Sequence, residues 1–315
     1  QKDEEGTTTA IMRGIANRFY ELGYKIGGFV GYIDSNVIPG SGLSSSASIE
    51  VLLGTVLNYL YNDGNISAEQ IAIIGQYSEN IYFGKPCGLM DQMACSVGGF
   101  VNIDFRDPQN PIVRKIDFDF AAQGYSLLVV NTGGNHADLT QDYAAVPAEM
   151  KSVAKALGGR VCRDISMEIL IPNIKKLRSE VGDRAILRAM HFFAEDQRVV
   201  DEVEALEIRD FDAFLKLITS SGNGSWKWLQ NCYPSGNPSE QGVTLALAIT
   251  EDFVKSKAKG AYRVHGGGFA GTIQVFIPNE FVQEYMSLME SIFEENCVTV
   301  LNVRPYGAIH INSLI

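Results

Sequence analysis

Pro39-Gly40-Ser41-Gly42-Leu43-Ser44-Ser45-Ser46-Ala47-Ser48 runs directly into an apolar helical series, Ile49, Val51, Leu52, Leu53, Val56, Leu57 and Leu60. Glycines permit a tight loop and close approach of the backbone to a ligand. The serines add hydroxyls. A glycine-rich loop that feeds a helix N-terminus gathers unpaired N–H groups and the positive end of the helix dipole at one point, which suits a phosphate. This is not a Walker A loop, because no lysine follows Gly42. Spacing alone leaves a plain alternative open: a Gly/Ser turn that caps a helix.

Outward from this loop, strands and helices interleave. Residues 7–22 read as a helix with Ile11, Ile15, Phe19 and Leu22 on one face. Residues 27–33 are short, aromatic and β-branched and read as a strand. The helix after the glycine loop covers 45–62 and ends in the Asn62-Asp63-Gly64-Asn65 turn. Ser67 and Gln70 have capping-box spacing for a helix that runs to about 83. Strands follow at 99–104, 112–117 and 125–130, the last ending in a second glycine turn at 131–136. The segment 139–209 is mostly helical, and 210–220 and 240–257 are further helices. A third glycine turn covers 265–271, followed by strand 272–277, helix 280–293 and strand 298–303. This pattern predicts an α+β protein of two lobes, 1–124 and 125–315.

Composition narrows the function. A chain of 315 residues suggests about two domains, and 46% hydrophobic with 20% charged residues is ordinary for a globular protein. No apolar run reaches the roughly 18 residues of a membrane span, and the polar start Gln1-Lys2-Asp3-Glu4-Glu5-Gly6 does not resemble a secretory signal. A net charge of −11 argues against nucleic-acid and membrane-surface partners, which are bound through Lys/Arg clusters, but leaves room for a nucleotide at a local site. Cys87, Cys95, Cys162, Cys232 and Cys297 are scattered, with no Cys-x-x-Cys pair, so a reducing, cytoplasmic setting is expected. The oligomeric state is left open, a monomer included. The absence of an initiator Met suggests a chain that begins inside a longer polypeptide.

Two carboxylates, Glu79 and Asp91, lie between the first and second glycine turns. Phosphoryl transfer needs such a set: a cradle for phosphates, a hard cation on one or two protein oxygens, and a carboxylate at the acceptor hydroxyl.

Gly42-Leu43-Ser44-Ser45-Ser46-Ala47-Ser48, then Pro86-Cys87-Gly88-Leu89-Met90-Asp91-Gln92, then Gly266-Gly267-Gly268-Phe269-Ala270-Gly271 resemble, in order and spacing, signature stretches of the galactokinases within the GHMP small-molecule kinases. The Cys-Gly-Leu-Met-Asp-Gln segment points to galactokinases rather than to mevalonate or homoserine kinases. The resemblance implies a two-lobed fold, with an N-terminal lobe of ribosomal-protein-S5-like type, incomplete here, and a ferredoxin-like C-terminal lobe. It implies ATP and Mg²⁺ as cofactors and galactose or a related hexose as substrate. Pro39, Gly40, Ser41, Gly42, Leu43, Ser44, Ser45 and Ser46 would hold the ATP phosphates, and Gly267 would support the nucleotide. Ser46 and Glu79 would be the Mg²⁺ ligands. Asp91 would face the sugar C1 hydroxyl, and Tyr143 would contact the sugar.

The chain also departs from the family pattern. The family's early segment, with its signature arginine and Gly-Glu-His-like turn, has no counterpart here. Gly133-Gly134-Asn135-His136-Ala137-Asp138 replaces an Asn-Val-Arg-His-like run, and His265 stands where a threonine is usual. Plainer readings exist for each residue taken alone. Asp91 is then a helix-start carboxylate, Glu79 a solvated helix residue and Tyr143 a packing ring. Ser44 and Ser45 shape backbone, and Arg188, Glu195 and Arg198 are surface or lobe-packing charges. The leading expectation is an ATP-dependent galactose kinase, with this chain a fragment of it. The alternative is a non-catalytic galactokinase-like sensor or regulator, against which an intact Ser46, Glu79 and Asp91 set counts.

Overall fold

A computed structural model describes residues 4–35, 37, 43–134, 139–257 and 259–314. Pro39, Gly40, Ser41 and Gly42, and the 135–138 part of the second glycine turn, lie outside the described residues. The chain forms two compact units, Gln1–Asp117 with Val303–Ile315, and Phe118–Asn302. The sequence division at 124/125 assigned the C-terminal tail to the second unit. In the structure the tail returns to the first, where Gly99 N–H donates to the Arg304 carbonyl at 2.8 Å and Lys115 Nζ donates to the Pro305 carbonyl at 2.5 Å.

The first unit is built on helices. Helix α1 (Thr8–Glu21) starts at Thr7, whose hydroxyl accepts from Ala10 N–H, and buries Ile11, Ile15 and Phe19. Helix α2 (Ser45–Tyr61) and helix α3 (Ala68–Ser78) add Val51, Leu53, Leu57, Ile71 and Ile74 to the same core. Each such side chain removed from water stabilises the fold by about 1.5–3 kcal/mol. Ser67 caps α3 by accepting from Gln70 N–H at 3.2 Å. Asn58 fastens the connection between α2 and α3, exchanging two hydrogen bonds with the backbone of Ile66. A π-helical turn, Glu79–Phe83, extends α3, and helix α4 (Met90–Val97) leads into a hairpin of β1 (Phe100–Asp104) and β2 (Ile112–Ile116).

The expected strand at 27–33 is not one. These residues have no regular structure and join no sheet, with Val30 and Tyr32 at 104% and 92% exposure. β-Branched and aromatic content makes a strand only where a neighbouring strand pairs with its backbone; among the described residues none does, and the Gly28 carbonyl accepts from the Tyr61 hydroxyl instead.

The second unit carries a four-stranded antiparallel sheet in the order β4-β5-β3-β6, formed by β3 (Tyr125–Asn131), β4 (Ala261–Val264), β5 (Thr272–Pro278) and β6 (Val298–Leu301). Between β3 and β4 run helices α5 (Thr140–Ala156), α6 (Met167–Glu180), α7 (Asp183–Glu207), α8 (Phe211–Gly224) and α9 (Gly242–Lys257). Helix α10 (Val282–Glu290) joins β5 to β6. The sheet core includes Leu128, Val130, Ile273, Val275 and Ile277, covered by Ala246 and Phe253 of α9 and Tyr285 and Met289 of α10. Strand β4 was missed in the sequence, because only four residues follow Gly260 before the glycine turn begins. Arg188 of α7, read as a surface or packing charge, is fully buried. Its guanidinium donates to Glu149 Oε2 at 2.9 Å and to the Leu229 carbonyl at 3.1 Å.

Candidate active site

The start of α2 brings two hydroxyls to two carboxylates. Ser44, the residue before the helix, donates to Asp91 Oδ2 at 2.5 Å. Ser46, in the first turn, donates to Glu79 Oε1 at 3.1 Å. These pairs join residues 47 and 33 positions apart in sequence. Ser44 adopts a left-handed conformation, φ 57° and ψ 53°, and its hydroxyl makes no capping bond to the helix. A non-glycine residue held there is strained and needs surroundings that fix it. The Asp91 contact gives Ser44 a direct link to the expected catalytic carboxylate, beyond the backbone-shaping role read from the sequence. Leu43 and Ser45 flank it, both half-buried.

Asp91 is exposed in the first turn of α4, where the helix dipole favours a negative charge. Glu79 differs. It opens the π-helical turn at the end of α3 and is 2% exposed, so the reading of a solvated helix residue does not describe its environment. Its carboxylate oxygens are divided. Oε1 meets Ser46 Oγ and, at 3.4 Å, Lys85 Nζ. Oε2 accepts from Gln92 Nε2 at 2.8 Å. The same Gln92 nitrogen donates to Glu50 Oε2 at 2.9 Å. Glu50 is fully buried on α2, and burial pushes its carboxyl up to about 8. Gly75 makes the close packing possible, since a Cβ there would lie 3.1 Å from Glu50 Cβ.

The loop before Asp91 is pinned at Cys87, whose N–H donates to Asn80 Oδ1 at 2.7 Å and whose carbonyl accepts from Gln76 Nε2 at 3.1 Å. Burial pushes the Cys87 thiol up to about 12, so at neutral pH it is a packing thiol and no nucleophile. Sequence reasoning missed Glu50 and Gln92. Their signal was present: Glu50 lies among Ala47, Val51, Gly54 and Leu57 on the apolar face of α2.

Hydroxyl and carboxylate oxygens suit a hard divalent cation, and Ser46 Oγ with Glu79 Oε1 form such a donor pair next to a helix N-terminus. The residue types therefore fit Mg²⁺ with phosphate oxygens completing its shell.

In the second unit, Tyr143 and Gly267 come together. The Tyr143 hydroxyl donates to the Gly268 carbonyl at 3.0 Å, and a Cβ on Gly267 would fall 2.6 Å from the tyrosine ring. Asn231 Nδ2 donates to the Gly267 carbonyl, and a Cβ on Gly268 would fall 2.1 Å from the Asn231 carbonyl oxygen. This glycine turn is thus closed by side chains on both flanks, and only glycine fits it. His265 Nδ1 lies 3.1 Å from Thr272 Oγ1, an ordinary local contact across the turn.

Comparison with known proteins follows the same lines. The GHMP kinases N terminal domain family matches residues 10–99. The chain is 34% identical to a galactokinase of Streptomyces coelicolor over 288 residues, which is 90% of this chain and 70% of that protein. It is 28% identical to a galactokinase of Actinobacillus pleuropneumoniae over 261 residues, spanning 83% of this chain and 64% of that protein. Among solved structures, Lactococcus lactis galactokinase complexed with galactose superposes with a TM-score of 0.72 at 21% identity, covering 96% of this chain and 76% of that one. A homoserine kinase from Cytophaga hutchinsonii superposes with a TM-score of 0.55 at 15% identity. Among the described residues no helix is long and apolar enough to cross a membrane.

Proposed function

Because the chain belongs to the galactokinase family of GHMP kinases, we propose that it transfers the γ-phosphoryl group of ATP to the C1 hydroxyl of galactose. The observation that carries this reading is the pairing at the start of α2, where one serine reaches Asp91 and the next but one reaches Glu79.

The chemistry divides among these groups. Asp91, exposed at the start of α4, accepts the proton of the C1 hydroxyl. The freed oxygen forms a bond to the γ-phosphorus as the bond to the β,γ-bridging oxygen breaks, and ADP leaves with that electron pair. Ser44 holds Asp91 before the sugar arrives. The glycine loop 39–42, Leu43, Ser44, Ser45 and the N–H groups of the first turn of α2 receive the phosphates. Ser46 and Glu79 would hold Mg²⁺, which when bound supplies positive charge against the phosphate oxygens. Lys85, with a largely exposed side chain reaching Glu79, adds a positive charge beside this carboxylate. The family resemblance assigns Tyr143 to the sugar and Gly267 to the nucleotide. Their mutual packing supports Tyr143 in holding the glycine turn as well.

The test is ATP-dependent galactose phosphorylation by the purified chain beside Asp91→Asn. Kinases of this type turn over at roughly 1–100 s⁻¹. Asp91→Asn is expected to lower kcat by about 10²–10⁴, the usual contribution of a general base, with ATP binding kept. Wild-type turnover in that variant would remove Asp91 from the mechanism.

A further inference from the structure

Gln92 has no assigned role, yet it stands at the centre of a buried polar group in the first unit. It is 1% exposed, between Glu50 at 0% and Glu79 at 2%. Its side-chain nitrogen donates to both carboxyl groups, at 2.9 Å and 2.8 Å, with Cys87 Sγ further off at 3.6 Å. This fixes the orientation of the amide. Turned over, its carbonyl oxygen would lie against Glu79 Oε2, acceptor against acceptor. Gln92 therefore joins α2 through Glu50, the π-helical turn through Glu79, and α4 through its own backbone, one residue after Asp91.

The consequence falls on Glu79. With Oε2 held by Gln92, the carboxylate cannot rotate about its last bond, and Oε1 stays directed at Ser46 Oγ. Glu50 in turn holds the second hydrogen of the amide and prevents Gln92 from rotating away. A carboxylate with one oxygen held and the other meeting only a hydroxyl and the exposed Lys85 ammonium, at 3.4 Å, is set up for one-oxygen coordination of a cation that takes the place of Lys85.

We propose that Gln92 is a positioning residue, which with Glu50 behind it holds Glu79 so that Oε1 and the Ser46 hydroxyl form the cation site. This inference rests on the kinase reading above, and it adds to it the residue on which the affinity of the cation site depends.

The experiment measures ATP binding by titration calorimetry on the full chain, once with Mg²⁺ and once with EDTA, so that the readout is binding and not turnover. Wild type is expected to bind ATP more tightly with Mg²⁺. Gln92→Met keeps the volume of the side chain and removes both donors. The Mg²⁺-dependent gain is expected to fall about 10-fold or more, the usual effect of losing a group that orients a metal ligand, while the EDTA affinity stays at the wild-type value. In a Glu79→Gln background, Gln92→Met should have no further effect on the gain. Equal weakening in both arms would mean that Gln92 only supports the fold, and an unchanged Mg²⁺ gain would mean that it does not orient Glu79. Either result overturns the inference alone. A wild-type chain that binds ATP no better with Mg²⁺ overturns the kinase reading and the inference with it. If circular dichroism shows Gln92→Met unfolded, Glu50→Leu is added to it. That pair removes both ends of the Gln92–Glu50 contact, a change that is often nearly neutral, while Glu79 still loses its donor, and it is read against the same outcomes.

Discussion

Ser44 combines a strained backbone with a hydrogen bond to the proposed catalytic carboxylate, and two substitutions separate these features. Ser44→Ala removes the hydroxyl and keeps a Cβ at φ 57°. Ser44→Gly removes the hydroxyl and the strain together. A left-handed conformation costs a residue with a side chain about 1 kcal/mol relative to glycine. Urea unfolding should therefore find the glycine variant more stable than the alanine variant by about that amount. The hydrogen bond acts on catalysis. A hydroxyl donating to a carboxylate contributes about 1.5–3 kcal/mol. Asp91 is exposed, so the lower end applies, and about 1.4 kcal/mol corresponds to a tenfold change in rate. Both variants should then show kcat for galactose phosphorylation about tenfold below wild type, at saturating ATP. The reasoning fails if Ser44→Gly turns over at the wild-type rate. In that case the hydroxyl on Asp91 does not orient it, and only the backbone geometry at the helix start matters.

Two further predictions concern the second unit. Arg188→Met strands the Leu229 carbonyl but leaves Glu149 paired with Arg184. The expected loss is about 2–3 kcal/mol, below the 3–5 kcal/mol of a buried pair whose survivor is left alone. Arg184→Ala, whose side chain is 43% exposed, should cost under about 1 kcal/mol; equal losses in urea unfolding would refute the distinction. Glu202 on α7 has its carboxyl pushed up to about 7 by burial, from an ordinary 4.5. Between those pH values the folded chain holds a proton that the unfolded chain has released, so this group makes stability fall as pH rises through the window. Glu202→Gln should remove that part of the slope between pH 4.5 and 7, and unchanged slopes in the variant would exclude it.

The sequence was most legible where neighbours in the chain are also neighbours in space. The apolar faces of α1 and α2, the cap at Ser67, the hairpin of β1 and β2 and strands β3 and β5 all follow from local spacing. It was least legible where a distant partner decides the outcome. Residues 27–33 have strand composition and no strand beside them among the described residues. Arg188 looks like a surface charge until Glu149, 39 positions earlier, takes its guanidinium inside. Ser44 looks like a loop serine until Asp91 arrives from 47 positions later.

The carboxylates of the proposed cation site lie between these extremes, and their logic can be stated from sequence position. A charged group placed on the apolar face of a helix must be paired, because isolating it from water costs several kcal/mol. Glu79 lies four residues after Gly75 and eight after Ile71, and Glu50 lies three before Leu53 and seven before Leu57, so each occupies an apolar face. Burial raises the Glu50 carboxyl to about 8, and one donor between the two helices serves both groups. The motif that carries Asp91 supplies it in the next residue, Gln92, which turns inward as Asp91 turns outward. The adjacency of the two residues thus has a physical reason. A single turn of α4 delivers the exposed carboxylate proposed to meet the sugar and the buried amide that holds the second carboxylate, proposed to meet the cation. Any shift of that turn would move both together.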